Sequence, residues 1–122
     1  MSKHPIVHIE LSAKDRHVTS NFYQDVFGWK VTDMPEMNYA TFEYEDGRGG
    51  GFNPVSDQNP AGTVIVYIQA DDIEAALEKI VANGGKVLAP KTEIPNIGWY
   101  AFFSDPTGNN MALYKSLSEE TS

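Results

Sequence analysis

The sequence has no cysteine among its 122 residues. That excludes disulfides, thiolate nucleophiles and cysteine-held metals. A cysteine-free chain is compatible with a reducing compartment, and a cytoplasmic location is expected from the lack of a signal or membrane-spanning pattern. No apolar run approaches the roughly 20 residues that cross a bilayer as a helix, so no membrane partner is expected. Met1-Ser2-Lys3-His4-Pro5 leads into Glu10 and Lys14-Asp15-Arg16 rather than into the apolar stretch of a secretion signal. Basic residues are few and scattered: nine Lys and Arg against seventeen Asp and Glu, a net charge of −8. Nucleic acid, which is bound through clusters of Lys and Arg, is therefore not an expected partner. The acidic balance serves solubility.

What is present is ordinary for a folded domain. Hydrophobic residues make up 41% and charged ones 21%, and the length suits one domain, 1–122, with one core. Two helices stand out. Asp71-Asp72-Ile73-Glu74 opens the clearer one, with Asp71 read as the cap and Glu74 three residues on. Ile73, Ala76, Leu77, Ile80 and Val81 then follow at the spacing of one buried helical face. Asn83-Gly84-Gly85 ends it, glycine allowing the left-handed turn. The other helix is expected from Lys14 to Phe27, with Val18, Phe22 and Val26 one turn apart and Gly28 as its stop.

Strand patterns surround both helices. Pro5 to Leu11 alternates, with Val7, Ile9 and Leu11 on one face and Ile6, His8 and Glu10 on the other. Further strands are expected at Trp29 to Met34, Tyr39 to Tyr44 and Gly51 to Val55. After Gly62 the order repeats: Thr63 to Gln69, a helix, Lys86 to Glu93, Gly98 to Ser104, and Asn110 to Tyr114. A shift of 57 residues carries Val7 onto Val64, Ile9 onto Val66, Leu11 onto Ile68, Asp15 onto Asp72 and Gly28 onto Gly85. The chain thus reads as a duplicated βαβββ unit: module one about 4–55, a polar linker 56–62, and module two about 63–115. Each half alone is marginal for independent folding. The tail Ser116 to Ser122 is expected to fray.

At this point the sequence resembles the vicinal-oxygen-chelate superfamily, the glyoxalase/bleomycin-resistance/dioxygenase group, and within it the small members related to lactoylglutathione lyase. The likeness is carried by Val7-His8-Ile9-Glu10-Leu11, Asn21-Phe22-Tyr23-Gln24-Asp25-Val26-Phe27-Gly28-Trp29 and Asp71-Asp72-Ile73-Glu74-Ala75-Ala76. It continues in Gly84-Gly85-Lys86-Val87, Pro95-Asn96-Ile97-Gly98-Trp99 and Asp105-Pro106-Thr107-Gly108-Asn109. Each motif is weak alone; six in order are specific. The resemblance implies an α+β fold: two tandem βαβββ modules forming a cupped eight-stranded mixed sheet around a cleft, with helices on the convex side. It also implies a homodimer.

Metal-using members of that superfamily hold one divalent ion with His and Glu from four strands, and the ion acts as a Lewis acid on the substrate's adjacent oxygens. Carried over by motif, the four positions fall on His8, at or beside Gly51, at or beside Ile65, and on Ala112. Only His8 is a ligand type. One imidazole is far short of the three or four protein ligands a transition metal needs. No cofactor is therefore expected beyond a weakly held divalent metal on His8, helped by Glu10 and Asn53. Glyoxalase I activity is not expected.

His8 and Glu10, two apart on one strand face, are the catalytic candidates, as a base and its partner. A hydrogen-bonded pair left from an ancestral site explains them equally well. Asn53, Tyr67, Gln69 and Tyr114 should face the same cleft by alternation and are ligand-binding candidates, with ordinary core packing as the plainer account. Trp99, in the loop Ile94 to Trp99, is a further ligand-binding candidate as part of a lid, or else a dimer contact. Asp46-Gly47-Arg48-Gly49-Gly50-Gly51 lacks the ending of a phosphate loop and reads as a hairpin followed by a close-packed strand. His4 and His17 show no convincing partner. Two functions are consistent with this: binding or metal-free transformation of a small molecule, cationic if Glu10 and the overall charge decide, or a divalent-metal-dependent lyase, isomerase or dioxygenase with His8 as a surviving ligand.

Overall fold

A computed structural model describes residues 4–57 and 59–117. The elements run β1 (Ile6–Ala13), α1 (Arg16–Phe27), β2 (Lys30–Met34), a 3₁₀ turn at Pro35–Met37, β3 (Tyr39–Glu45) and β4 (Arg48–Pro54). Then come β5 (Val64–Gln69), α2 (Ile73–Ala82), β6 (Lys86–Ile94), β7 (Gly98–Ser104) and β8 (Asn110–Ser116). Among the described residues this is an α+β arrangement of eight strands and two helices. It divides into two compact units, one spanning His8–Ile65 and one built from Val66 onward together with the residues up to Val7.

The two units have one topology. In the first, the strand order is β2-β3-β4-β1, with β1 parallel to β4 and the rest antiparallel. In the second it is β5-β8-β7-β6, with β5 parallel to β8. Glu10 lies opposite Gly51 on β1 and β4. Tyr67, which a shift of 57 places on Glu10, lies opposite Ala112.

Both helices start on an aspartate. Asp15 accepts from the amides of His17 and Val18 at 2.9 and 3.3 Å, and Asp72 accepts from Ala75 at 3.0 Å. The cap of α2 is thus Asp72 rather than Asp71, and α1 begins at Arg16 rather than Lys14, because in each case the capping carboxylate has to stand just outside the first turn. Gly28 ends α1 at φ 72°, a left-handed conformation that costs glycine little.

The helices differ in what they bury. In the second unit Ile73 and Leu77 of α2 enter a core with Ala70, Ala101, Phe103 and Leu113. In the first unit the core of Ala13, Ala40, Phe42 and Phe52 is joined by Leu11, Tyr23, Trp29 and Val31. The expected stripe of α1 does not take part: Val18, Phe22 and Val26 are 65, 54 and 56% exposed. Tyr23, one position along, is the residue that turns inward. Its ring stacks 4.8 Å from Trp29 and 5.6 Å from Phe52. The frayed tail expected from Ser116 is corrected in part. Ser116 ends β8, and the Leu117 amide donates to the Ile97 carbonyl at 2.8 Å. The rest of that tail lies outside the described residues, as does Gln58 of the linker.

Candidate functional site

In the first unit the sheet separates its side chains cleanly. Leu11, Phe52 and Ala40 stand in register across β1, β4 and β3 and face the core shared with α1. The alternate residues, Glu10, Gly51 and Thr41, stand in register on the face without a helix. His8, Asn53 and Tyr39, each two residues from one of these, share that face.

Four of these side chains form a hydrogen-bonded chain. Nε2 of His8 lies 2.9 Å from the Tyr39 hydroxyl. That hydroxyl donates to Oε2 of Glu10 at 2.9 Å. Asn53 donates from Nδ2 to Oε1 of Glu10 at 3.2 Å. His8 Nε2 and Glu10 Oε2 are themselves 3.6 Å apart. Glu10 is only 8% exposed, and a carboxylate withdrawn this far from water needs the donors that Tyr39 and Asn53 supply. With the Tyr39 proton directed at Glu10, the phenol oxygen is left to accept from His8, which places a proton on Nε2 in that arrangement.

Tyr39 is the residue that reading the sequence missed. The signal for it was the glycine run of β4, which marks a strand that something approaches closely. At Gly51 the approaching group is Tyr39: a Cβ built on Gly51 overlaps the phenol oxygen and Cζ of that ring.

In the second unit the corresponding face carries Tyr67 opposite Ala112 and Gln69 opposite Tyr114, with Phe102 and Tyr100 beyond them on β7. It is aromatic where the first unit is charged: Tyr67 and Phe102 meet edge to face at 6.3 Å, and Tyr100 lies 5.2 Å from Phe102. Gln69 is held through its backbone, its amide donating to the Pro5 carbonyl and its carbonyl 2.9 Å from Nδ1 of His4. His4 therefore does have a partner. Trp99 is a correction of another kind. It lies in β7, alternating with Tyr100, and packs against the core around Ile73 and Leu77. The segment before it is a tight turn between β6 and β7, closed by the Ile97 amide on the Ile94 carbonyl, so no lid is formed there. Lys91 sits 5.1 Å above the Trp99 ring.

The Asp105-Pro106-Thr107-Gly108-Asn109 motif is a turn held by its first residue. Oδ1 of Asp105 accepts from the amides of Thr107, Gly108 and Asn109 at 2.9 to 3.0 Å. Oδ2 accepts from the Asn109 side chain at 2.9 Å. These bonds, the Asn109 side chain first, hold the Asp105 carboxyl below the usual carboxylate range. A cavity of about 200 Å³ lies at the start of α1, lined by Ala13, Lys14, Asp15, Arg16, Asn38 and Pro54. It contains none of the four networked residues. Arg16 beside it is already engaged, with Nε 2.6 Å from Oδ1 of Asp33 and Nη1 2.7 Å from Oδ1 of Asn38.

The family model for the glyoxalase/bleomycin resistance protein/dioxygenase superfamily matches residues 5–113. The chain belongs to that superfamily. Among curated relatives, a glyoxylase-like domain-containing protein of Didymella fabae is 31% identical over 113 residues, covering 86% of this chain and 88% of its own. CFP32 of Mycobacterium tuberculosis, a glyoxylase by name, is 28% identical over 115 residues, 88% of this chain but 44% of its own. The chain thus spans less than half the length of that relative. Among solved structures, the Mn(II)-bound glyoxalase of Novosphingobium aromaticivorans superposes with a TM-score of 0.64 at 19% identity, covering 89% of this chain and 38% of that one. The last likeness is one of fold. That glyoxalase holds a divalent metal, Mn(II). Of the residues at or beside which the resemblance puts metal ligands, His8, Gly51, Ile65 and Ala112, Ile65 and Ala112 are 7% and 0% exposed. Among the described residues no group of three or more His, Asp or Glu side chains is placed to hold a metal ion.

Proposed function

We propose that this chain is a metal-independent, small-molecule-binding member of the superfamily, with its ligand meeting the helix-free face that carries His8, Glu10, Tyr39 and Asn53. The observation that carries the reading is the state of Glu10. It is buried, and both of its oxygens already accept hydrogen bonds from Tyr39 and Asn53. The residues at the carried-over positions do not fit a divalent ion: Gly51, Ile65 and Ala112 offer no side-chain donor, and one imidazole does not make a transition-metal site. The chemistry open to the network is that of a hydrogen-bonding and proton-holding group, with His8 as the candidate base and Glu10 as its partner.

The ligand class that suits a buried carboxylate in a chain of net charge −8 is a cation with an apolar body. Tyr67, Gln69 and Tyr114 are proposed as further ligand contacts, on the helix-free face of their own unit. A cytoplasmic location is part of the proposal, and the cysteine-free composition is compatible with it. A homodimer is the proposed assembly, supported by the exposed Val18, Phe22, Val26 and Phe27 of α1.

The test has two arms. Metal content is measured by mass spectrometry after chelation and reloading with nickel, zinc, manganese and iron(II). Metal-free protein is then titrated calorimetrically with cationic aromatic compounds, metal-free bleomycin among them. The expected result is no stoichiometric metal, and binding of at least one cation that Glu10→Gln abolishes. Stoichiometric metal lost in His8→Ala would replace this reading with the metal-dependent lyase, isomerase or dioxygenase. Cation binding indifferent to Glu10→Gln would remove the network from the site.

A further inference from the structure

We propose that Tyr39 has taken the place of the ion's second ligand, and that its phenol is what closes the His8–Glu10 pair to divalent metals. This rests on the metal-independent reading and names the residue that enforces it.

The first ground is space. A side chain on Gly51 would have to start inside the Tyr39 ring, since its Cβ overlaps the phenol oxygen and Cζ and comes to 2.8 Å from Cε1. Gly51 lies directly opposite Glu10 in the strand register. A carboxylate or imidazole there would stand beside His8 and Glu10 as a third donor. The ring occupies that room instead. The obstacle is the far end of a side chain rather than backbone, so it moves only if Tyr39 swings away from His8 and Glu10.

The second ground is the lone pairs. An imidazole nitrogen has one in-plane site, used either for a proton or for a metal. At Nε2 of His8 that site is directed at the Tyr39 oxygen, 2.9 Å away. A metal is held at about 2.0–2.2 Å from nitrogen and oxygen ligands. An ion at Nε2 must therefore displace the phenol and break the Tyr39–Glu10 hydrogen bond with it. Glu10 does not readily turn its other oxygen to the task, because Asn53 holds Oε1. Tyr39 thus supplies one hydrogen-bonding group to both residues that would otherwise begin a metal site.

The proposal is tested by giving the site its missing donor with and without the ring. Gly51→Glu and Tyr39→Ala/Gly51→Glu are compared with the wild type and Tyr39→Ala, using equilibrium dialysis against zinc and the visible absorption bands of cobalt(II). The double variant is expected to bind about 10- to 100-fold more tightly than Gly51→Glu alone, the scale on which groups around a ligand move metal affinity. It should show cobalt bands that His8→Ala removes. Equal affinity in the two variants would overturn the proposal, as would a folded double variant that binds neither metal. In both cases the metal-independent reading stands if the wild type is metal-free. Stoichiometric metal in the wild type sinks both.

Should the glutamate variants not fold, a smaller substitution decides. Gly51→Ala should destabilise the wild type in urea unfolding and cost much less in the Tyr39→Ala background. The same cost in both backgrounds would show that the ring does not own the space.

Discussion

The unit His8–Ile65 and the unit from Val66 onward share strand order, parallel pair and aspartate-capped helix, yet they bury different things. The first is held by stacked rings: Trp29 lies 4.7 Å from Phe42, and Phe42 4.9 Å from Phe52. Its helix sends Tyr23 into that stack, with Phe27 at its edge 6.0 Å from Tyr23, and leaves Val18, Phe22 and Val26 largely exposed. The second depends on its helix, which drives Ile73 and Leu77 into a core with Ala70, Ala101, Phe103 and Leu113. The helix-free faces differ just as much. Glu10 opposite Gly51 in one unit corresponds to Tyr67 opposite Ala112 in the other. One backbone plan therefore tolerates two cores and two surfaces, one carrying the His8–Glu10 network and one lined by aromatic rings.

The largest effects should come from the two cores. Phe52→Ala, at 0% exposure, should cost about 3–5 kcal/mol and Leu77→Ala about 2–5 kcal/mol in chemical unfolding. Phe22→Ser, on the exposed face of α1, should stay within about 0.5 kcal/mol. A large cost for Phe22→Ser in dilute protein would mean that the two helices are not used differently.

The next effect separates the helix-free faces. Tyr39→Phe removes a hydrogen bond to a buried carboxylate and should cost about 1.5–3 kcal/mol. Tyr67→Phe at the equivalent strand, where the ring packs on Phe102, should cost less. Equal losses would mean that the Glu10 network is no more demanding than an aromatic contact.

The caps come third. Asp15→Ala and Asp72→Ala should each cost about 1 kcal/mol, Asp15 somewhat more because it accepts from two amides rather than one.

The smallest effect is on the acid side of the pH profile, through Asp33 in one unit and Asp105 in the other. The Arg16 guanidinium, through its hydrogen bonds first, holds Asp33 below the ordinary range, and the Asn109 side chain and turn amides do the same for Asp105. A carboxylate with a depressed folded pKa stabilises the protein above its unfolded pKa of about 3.9. That contribution is lost as pH falls through the lower folded value. Asp33→Asn and Asp105→Asn should each make the loss of stability below about pH 4 shallower, by a small amount given solvent screening. An acid limb unchanged in both variants would show that these surface bonds do not survive in solution.

Much of this was legible in the residues. The 57-residue shift already paired Asp15 with Asp72, and both proved to be caps, because a short carboxylate before an apolar helical run has few other roles. Alternation along Pro5 to Leu11 put His8 and Glu10 on one face, and they are there. Tyr39 was not legible, because nothing local distinguishes it from any strand tyrosine. Its role depends on a glycine twelve residues on and a glutamate on another strand. Trp99 and the α1 stripe failed for a related reason: periodicity says which residues share a face, not which face the protein will cover.

The sequence by itself determined the duplicated βαβββ order, the helix limits to within two residues and the want of ligand-type side chains at Gly51, Ile65 and Ala112. All of these are properties of near neighbours in the chain or of residue chemistry alone. Only the tertiary structure decided that Tyr23 rather than Phe22 enters the first core, that Trp99 turns to the helix side, and that the Tyr39 phenol fills the space beside Gly51. Those outcomes depend on which surfaces strand pairing brings together, and on one ring taking room that another side chain would need.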